Sequence, residues 1–169
     1  MKNFIMLVII FCGALLADTP QPSDSSCEYY QHLEALRPCS QHSNYLISYG
    51  YKYCSLFQTS KNDWSHQLQA WIENTTLCLQ EKLADYQALN KNESNDEKYC
   101  ENLEKIAFKS HADCYTEHGF CRLSCADQIR IASHLFQLDV LLKPKASLQQ
   151  ALLVAVRCSQ HQVQSCNLL

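Results

Sequence analysis

Cysteine is the residue type with the most chemistry to offer in this sequence of 169 residues. Eleven cysteines are present, and all but Cys12 lie beyond the first 25 residues. Thiols pair into cystines in an oxidising compartment, whereas glutathione and thioredoxin keep cytosolic thiols reduced. The cysteine content therefore predicts an extracellular protein whose disulfides stabilise a small core. The ten cysteines are Cys27, Cys39, Cys54, Cys78, Cys100, Cys114, Cys121, Cys125, Cys158 and Cys166.

The first 17 residues have the pattern of a secretory signal peptide. Lys2 supplies a positive charge, residues 4–11 are apolar, and small residues precede Asp18. A membrane anchor would need roughly 20 apolar residues, and this run is shorter. We predict cleavage after Ala17, which removes Cys12 and leaves an even number of cysteines. Residues 18–25 then form a flexible lead-in, and residues 26–169 form a single domain of a secreted protein.

Charge and composition exclude several classes of function. The net charge is −3 without any run of like charge, so we expect no nucleic-acid partner and no binding to anionic lipid. A hydrophobic content of 47% argues against disorder. No segment after the leader is apolar enough to span a membrane, and no motif calls for a cofactor or a metal.

The elements that must position the cysteines are predicted to be helices. Only three glycines and four prolines occur, so long stretches lack a strong helix breaker. Apolar residues recur at three- and four-residue steps after Asp63, which we expect to cap the clearest helix. Gly119 fits a helix stop, and Ser124 with Asp127 resembles a capping box. The sequence predicts an all-α domain of five to six helices, spanning about 26–36, 41–57, 64–89, 99–119, 125–142 and 147–163.

Two glycosylation sequons follow the leader. Asn74 begins Asn-Thr-Thr within the third predicted helix, and Asn92 begins Asn-Glu-Ser in a polar tract. Only exported chains meet the glycosyltransferase, so the leader makes both sequons relevant. We predict a glycan at Asn92 in an exposed loop, and one at Asn74 if that side chain faces solvent.

The spacing of the cysteines resembles that of the stanniocalcin family of secreted glycoprotein hormones. The segment from Trp71 to Leu83 resembles the family's amphipathic helix with a central cysteine. The segment from Asp113 to Cys121 resembles its Cys-Tyr-x5-Cys hairpin. The gaps that carry the resemblance are 23 residues between Cys54 and Cys78, 13 between Cys100 and Cys114, 6 between Cys114 and Cys121, and 36 between Cys121 and Cys158.

The resemblance implies a disulfide pairing. Cys125 and Cys166 have no clear family counterpart, and they either pair with each other or leave Cys166 to bridge two subunits. The first arrangement gives a monomer and the second a disulfide-linked homodimer. The pairs implied by the family are Cys78 with Cys114 and Cys121 with Cys158, together with Cys27–Cys54 and Cys39–Cys100 as the simplest pairing of the N-terminal cysteines.

The resemblance also implies a function. It indicates a helical extracellular signalling protein, from a family associated with calcium and phosphate homeostasis and with inhibition of pappalysin-type metalloproteinases. The partner would be an extracellular protein, either a receptor or such a metalloproteinase. The alternative is a secreted helical lipid-binding or host-interaction protein without hormone activity. In that case a cavity would be lined by aromatic residues such as Trp64, Trp71, Tyr86 and Phe108, although residues at helical spacing are usually core.

One short motif at the end of the fourth predicted helix suggests an enzyme. Cys114, His118 and Cys121 have a spacing similar to that around the catalytic histidine of secreted phospholipases A2, where an adjacent aspartate holds Ca²⁺. Gly119 occupies the position of that aspartate. His111 and His118 are the one close histidine pair on a predicted helix, but a metal there would need further ligands. We therefore predict solvated histidines, no catalytic residue and no enzymatic activity.

Overall fold

The computed structural model describes residues 20–135 and 144–160, with only the backbone of residues 144–147. The predicted signal peptide at 1–17, the end of the fifth predicted helix and the tail that contains Cys166 lie outside the described residues. None of the described helices has both the length and the apolar character of a membrane span.

The described residues form six α-helices and no β-strand, which confirms the predicted all-α, disulfide-linked fold. A π-helical segment, Leu46–Tyr51, leads directly into the second α-helix. The third and fourth helices are the longest and run antiparallel, because Tyr86 contacts Tyr99 while Trp71 contacts Tyr115. The helices are α1 Glu28–Leu36, α2 Lys52–Ser60, α3 His66–Asn90, α4 Asp96–Glu117, α5 Cys125–Leu135 and α6 Pro144–Gln160.

The start of α3 differs from the prediction, because Ser65 caps the helix and Asp63 does not. Ser65 Oγ accepts a hydrogen bond from the backbone N–H of Leu68 at 3.1 Å. Asp63 instead ends a short 3₁₀ turn, and Trp64 after it is extended. The Ser65 hydroxyl also donates to Asp127 at 3.0 Å, so the first turn of α5 and the start of α3 are joined.

The predicted capping features of α4 and α5 are present. Gly119 has a left-handed φ of 95° just after α4 ends. Ser124 Oγ accepts from the backbone N–H of Asp127 at 3.1 Å and donates to the Asp127 carboxylate at 2.8 Å. The Asp127 carboxylate therefore accepts from the Ser124 hydroxyl, whereas the glutamate of a capping box accepts from the backbone N–H of the capping residue.

Side-chain contacts hold two regions before α3. Cys39 lies in a loop, although the elements that position the cysteines were predicted to be helices. Its backbone N–H and that of Ser40 are bound by the Glu34 carboxylate, which fixes the loop. In the predicted lead-in, the Ser23 N–H donates to Gln80 Oε1 at 3.0 Å, so residues 20–25 are attached to α3.

Two buried clusters form the core, one at each end of the α3–α4 pair. The first lies around α1 and the π-helical segment and includes Tyr29, Tyr30, Leu33, Tyr45, Leu46, Leu83, Tyr99, Leu103, Ala107 and Phe108. The second lies among the start of α3, the end of α4, α5 and α6 and includes Leu68, Trp71, Ile72, Ala112, Tyr115, Leu123, Ile131 and Val154.

Gly50 allows α1 to pack against the π-helical segment. A Cβ at this position would lie 2.5 Å from two ring carbons of Tyr30, a side chain that is only 2% exposed. We expect Gly50→Ala to lower the free energy of unfolding by about 1–3 kcal/mol, because the buried ring must shift. Chemical denaturation measures this loss. On a Tyr30→Leu background the cost of Gly50→Ala is expected to shrink, and an unchanged cost would contradict the proposed clash.

Candidate functional site

Four cystines connect elements that are distant in the sequence. Two of them join pairs that the family resemblance implied, and the other two join the N-terminal cysteines in the simplest pairing, with Cα–Cα distances of 5.2 to 5.8 Å. Cys125 is also in a disulfide, while its predicted partner Cys166 lies outside the described residues. The four cystines are Cys27–Cys54 between α1 and α2, Cys39–Cys100 between the loop after α1 and α4, Cys78–Cys114 between α3 and α4, and Cys121–Cys158 between the turn after α4 and α6.

Both sequon asparagines are exposed. Asn74 lies on the solvent face of α3, and Asn92 lies in the turn between α3 and α4. Arg37 holds this turn in place, since its guanidinium donates to the Glu93 carbonyl at 2.6 Å and to Asp96 at 2.7 Å. The same guanidinium lies 4.1 Å from the Tyr99 ring centroid. A glycan at either position would therefore extend into solvent from an ordered backbone.

We expect the chain expressed in a secretory eukaryotic host to carry N-glycans at both positions. Asn74→Gln and Asn92→Gln should each remove one discrete step of electrophoretic mobility, and the double variant should match the enzymatically deglycosylated protein. Asn62→Gln is the control, since Asn62 is exposed but begins no sequon. A single variant that migrates like the parent would show that its sequon is not used.

A small cavity lies where the π-helical segment, α2, α3 and α4 meet. Its volume is about 40 Å³, and the described residues that line it are mostly aromatic. The polar side chains among them belong to tyrosine, threonine and histidine, and none is formally charged at neutral pH. The π-helical segment and the following turn of α2 place Tyr45, Tyr49 and Tyr53 against the cavity. The polar lining residues are Tyr30, Tyr45, Tyr49, Tyr53, Thr75, Thr76, His111 and Tyr115.

The tyrosine hydroxyls lie near one another inside the protein. Burial raises the pKa of Tyr30, and the neighbouring Tyr49 raises it further. Burial likewise raises the pKa of Tyr45, with smaller contributions from Tyr30, Tyr49 and Tyr115. The pKa of Tyr115 is raised by burial first and then by Tyr49 and Tyr30. These hydroxyls therefore stay protonated and act as neutral donors and acceptors.

His111 is buried in the aromatic cluster, so the prediction of solvated histidines was wrong for this residue. It is 4% exposed, and burial lowers its pKa to about 4. A hydrogen bond to the Ala107 carbonyl raises the pKa, but burial is the larger effect. Its Nδ1 lies 2.6 Å from that carbonyl oxygen. In the neutral ring Nδ1 is therefore the donor, and Nε2 is left as an acceptor.

His118 has a different environment from His111. It lies in the turn after α4 and is exposed, as expected, with Gly119 beside it. Cys114 and Cys121 on either side are both in cystines, so neither offers a thiolate. Among the described side chains, no three potential metal ligands come together.

Thr75 is the one buried polar side chain in the described residues without a hydrogen-bond partner. It is 4% exposed, and its Oγ1 contacts no donor or acceptor within bonding distance. Other threonines on helices here bond to their own backbone: Thr116 donates to the Ala112 carbonyl at 2.9 Å, and Thr59 donates to the Ser55 carbonyl at 3.0 Å. The Thr75 hydroxyl therefore has no hydrogen-bond partner among the described residues, and Thr75 lines the cavity.

The aromatic residues considered for a lipid cavity belong to the core. Trp71 is buried and lines the small cavity, and its indole N–H donates to the Tyr115 carbonyl at 3.1 Å. Phe108 is buried in the first cluster. Trp64 and Tyr86 are half-buried and pack against the two clusters.

Sequence reasoning missed the cavity, although a signal was present. Tyr45, Tyr49 and Tyr53 recur at four-residue steps, which places three phenols on one face of a helix. Tyr30, Thr75 and His111 join them from three other helices, and no local pattern links those positions. Comparison with known proteins returned no matching family model, no matching curated protein and no matching solved structure.

Proposed function

We propose that this chain is a secreted glycoprotein of stanniocalcin type that acts by binding another extracellular protein. The cystine pattern carries the proposal. The Cys78–Cys114 and Cys121–Cys158 bridges join the pairs that the family spacing implied. Together with Cys27–Cys54 and Cys39–Cys100, they tie every described α-helix except α5 to another part of the domain. Cys125 ties α5 as well. Such a density of cystines is typical of extracellular proteins.

The two sequons support secretion independently of the cysteines. Both asparagines are exposed, and both lie on backbone that the core holds in place. A binding function fits a rigid surface of this kind, because little conformational entropy is lost when a preorganised surface meets its partner.

The lipid-binding alternative is less well supported. Ligand pockets in proteins usually have volumes of about 300–1,000 Å³. The small cavity where the π-helical segment, α2, α3 and α4 meet measures about 40 Å³, which is too small for an acyl chain. The aromatic residues around it pack on each other in edge-to-face contacts, as core residues do.

A binding assay tests the proposal. The secreted protein is purified and its binding to an immobilised pappalysin-type metalloproteinase is measured, together with inhibition of that enzyme. We expect saturable binding that is lost after reduction and alkylation of the same sample. Absence of binding and inhibition, with lipid detected in the purified protein by native mass spectrometry, would favour the lipid-binding alternative.

The same preparation tests the subunit arrangement. Electrophoresis without reductant separates a monomer, in which Cys125 pairs with Cys166, from a homodimer joined through Cys166. We propose the internal pair, which predicts that the mobility corresponds to one chain before and after reduction. A band of twice the mass that disappears on reduction would show the homodimer.

A further inference from the structure

We propose that the aromatic cavity between the π-helical segment, α3 and α4 is a binding site for a cluster of about three ordered water molecules. The proposal rests on the polar groups that line the cavity and does not depend on the proposed function. Thr75 has no hydrogen-bond partner among the described residues, no charged side chain among them lines the cavity, and the volume fits a few water molecules.

Thr75 gives the first reason. Its Oγ1 is buried and unpartnered, although threonine in a helix can readily bond to the carbonyl four residues before it. Thr116 does so in α4. Buried hydroxyls in folded proteins nearly always have a partner, either protein or ordered water. Since Thr75 lines the cavity, a water molecule there is the partner that the chain itself does not supply.

His111 gives the second reason, and it specifies what the ligand must do. Because Nδ1 is engaged with the Ala107 carbonyl, Nε2 of the neutral ring can only accept a hydrogen bond. A ligand beside this nitrogen must therefore donate a hydrogen bond to it.

The tyrosine hydroxyls give the third reason. Tyr30, Tyr45 and Tyr115 line the cavity, and each side chain is at least nine-tenths buried. A phenol both donates and accepts. A ligand in the cavity can therefore accept from these hydroxyls as well as donate to His111, and water does both.

Charge and volume decide the class of ligand. No charged side chain is among the described residues that line the cavity. An ion placed there would lose its hydration without gaining a counter-charge, which makes a neutral ligand far more favourable. A buried water needs about 10–15 Å³ when volume is measured in this way. The cavity of about 40 Å³ thus holds about three waters.

A substitution at Thr75 tests the proposal by the sign of its effect. Valine has nearly the shape of threonine and lacks the hydroxyl, and Thr75→Val keeps the Asn74 sequon because Thr76 is unchanged. If waters bond to Thr75, we expect Thr75→Val to lower the midpoint of chemical denaturation and Thr75→Ser to lower it less. If the cavity is dry, valine removes an unpaired polar group and the midpoint rises, which would overturn the proposal.

Thr116→Val is the matched control, because that hydroxyl has a backbone partner in the same region of the fold. A crystal structure of the purified protein gives the direct measurement. We expect ordered waters within hydrogen-bond distance of Thr75 Oγ1 and His111 Nε2. Xenon binding in this cavity under pressure would overturn the proposal, since dry apolar cavities take up xenon.

Discussion

Replacement of both Cys39 and Cys100 by alanine is expected to lower the free energy of unfolding by about 4 kcal/mol. The bridge closes a segment of 61 residues, the longest of the four described cystines. Both residues are 0% exposed, so alanine is preferred to serine, which would bury unpaired hydroxyls. A domain of this size has a net stability of about 5–15 kcal/mol. The variant should therefore lose a large part of its stability, which denaturation by guanidinium measures.

The Cys27–Cys54 bridge provides the comparison for this prediction. It closes a segment of 27 residues, and the chain-entropy argument expects its removal to cost about 0.7 kcal/mol less than removal of Cys39–Cys100. A larger loss at Cys27–Cys54 would contradict that argument and would assign the stabilisation to packing around the sulfurs.

Acidification is expected to destabilise the protein through His111. Burial lowers its pKa to about 4 in the folded state, while the unfolded state has the ordinary value of 6.5. Between these two values the unfolded chain binds more protons, so the free energy of unfolding falls as the pH falls from 6.5 to 4. The full loss from this residue is about 3 kcal/mol, since each pKa unit corresponds to about 1.4 kcal/mol. Below pH 4 the folded state also binds the proton, and the loss stops growing.

The pH prediction is tested by the stability of variants measured across this range. His111→Phe should remove this part of the pH dependence whether or not the variant is less stable overall. His118→Gln is the control, because His118 is exposed in the turn after α4. The rings that face His111 belong to Tyr45, Tyr49, Phe108 and Tyr115, and none of these side chains carries a carboxylate or a second imidazole. An unchanged slope in His111→Phe would contradict the prediction.

Local patterns in the sequence predicted the helices well. The apolar steps of α3 place Leu68, Trp71, Ile72 and Leu83 on its buried face. Gly119 and Ser124 mark the end of α4 and the start of α5, because a left-handed glycine and a capping hydroxyl act within one turn of the chain. The cystines could be assigned because the spacing resembled a known family, and spacing by itself allows many other pairings.

The sequence predictions failed where residues far apart in the sequence determine the local structure. Asp63 and Ser65 are both good N-cap residues, and Ser65 is also bonded to Asp127, which lies 62 positions further along. In the π-helical turn Gly50 lies against Tyr30, and four-residue spacing of tyrosines does not distinguish this turn from an α-helix. His111 follows the polar residues Lys109 and Ser110 in the sequence, yet aromatic rings from the π-helical segment enclose it.

Peptide mapping of the secreted protein without reduction tests the central claim most directly. Mass spectrometry identifies which cysteine peptides are joined, so one sample tests secretion, the fold and the family resemblance together. We expect an N-terminus near Asp18 and the joined pairs Cys27–Cys54, Cys39–Cys100, Cys78–Cys114, Cys121–Cys158 and Cys125–Cys166. Pairing in another order, or free thiols at Cys78 and Cys114, would contradict both the stanniocalcin-type proposal and the architecture in which α3 and α4 are tied together.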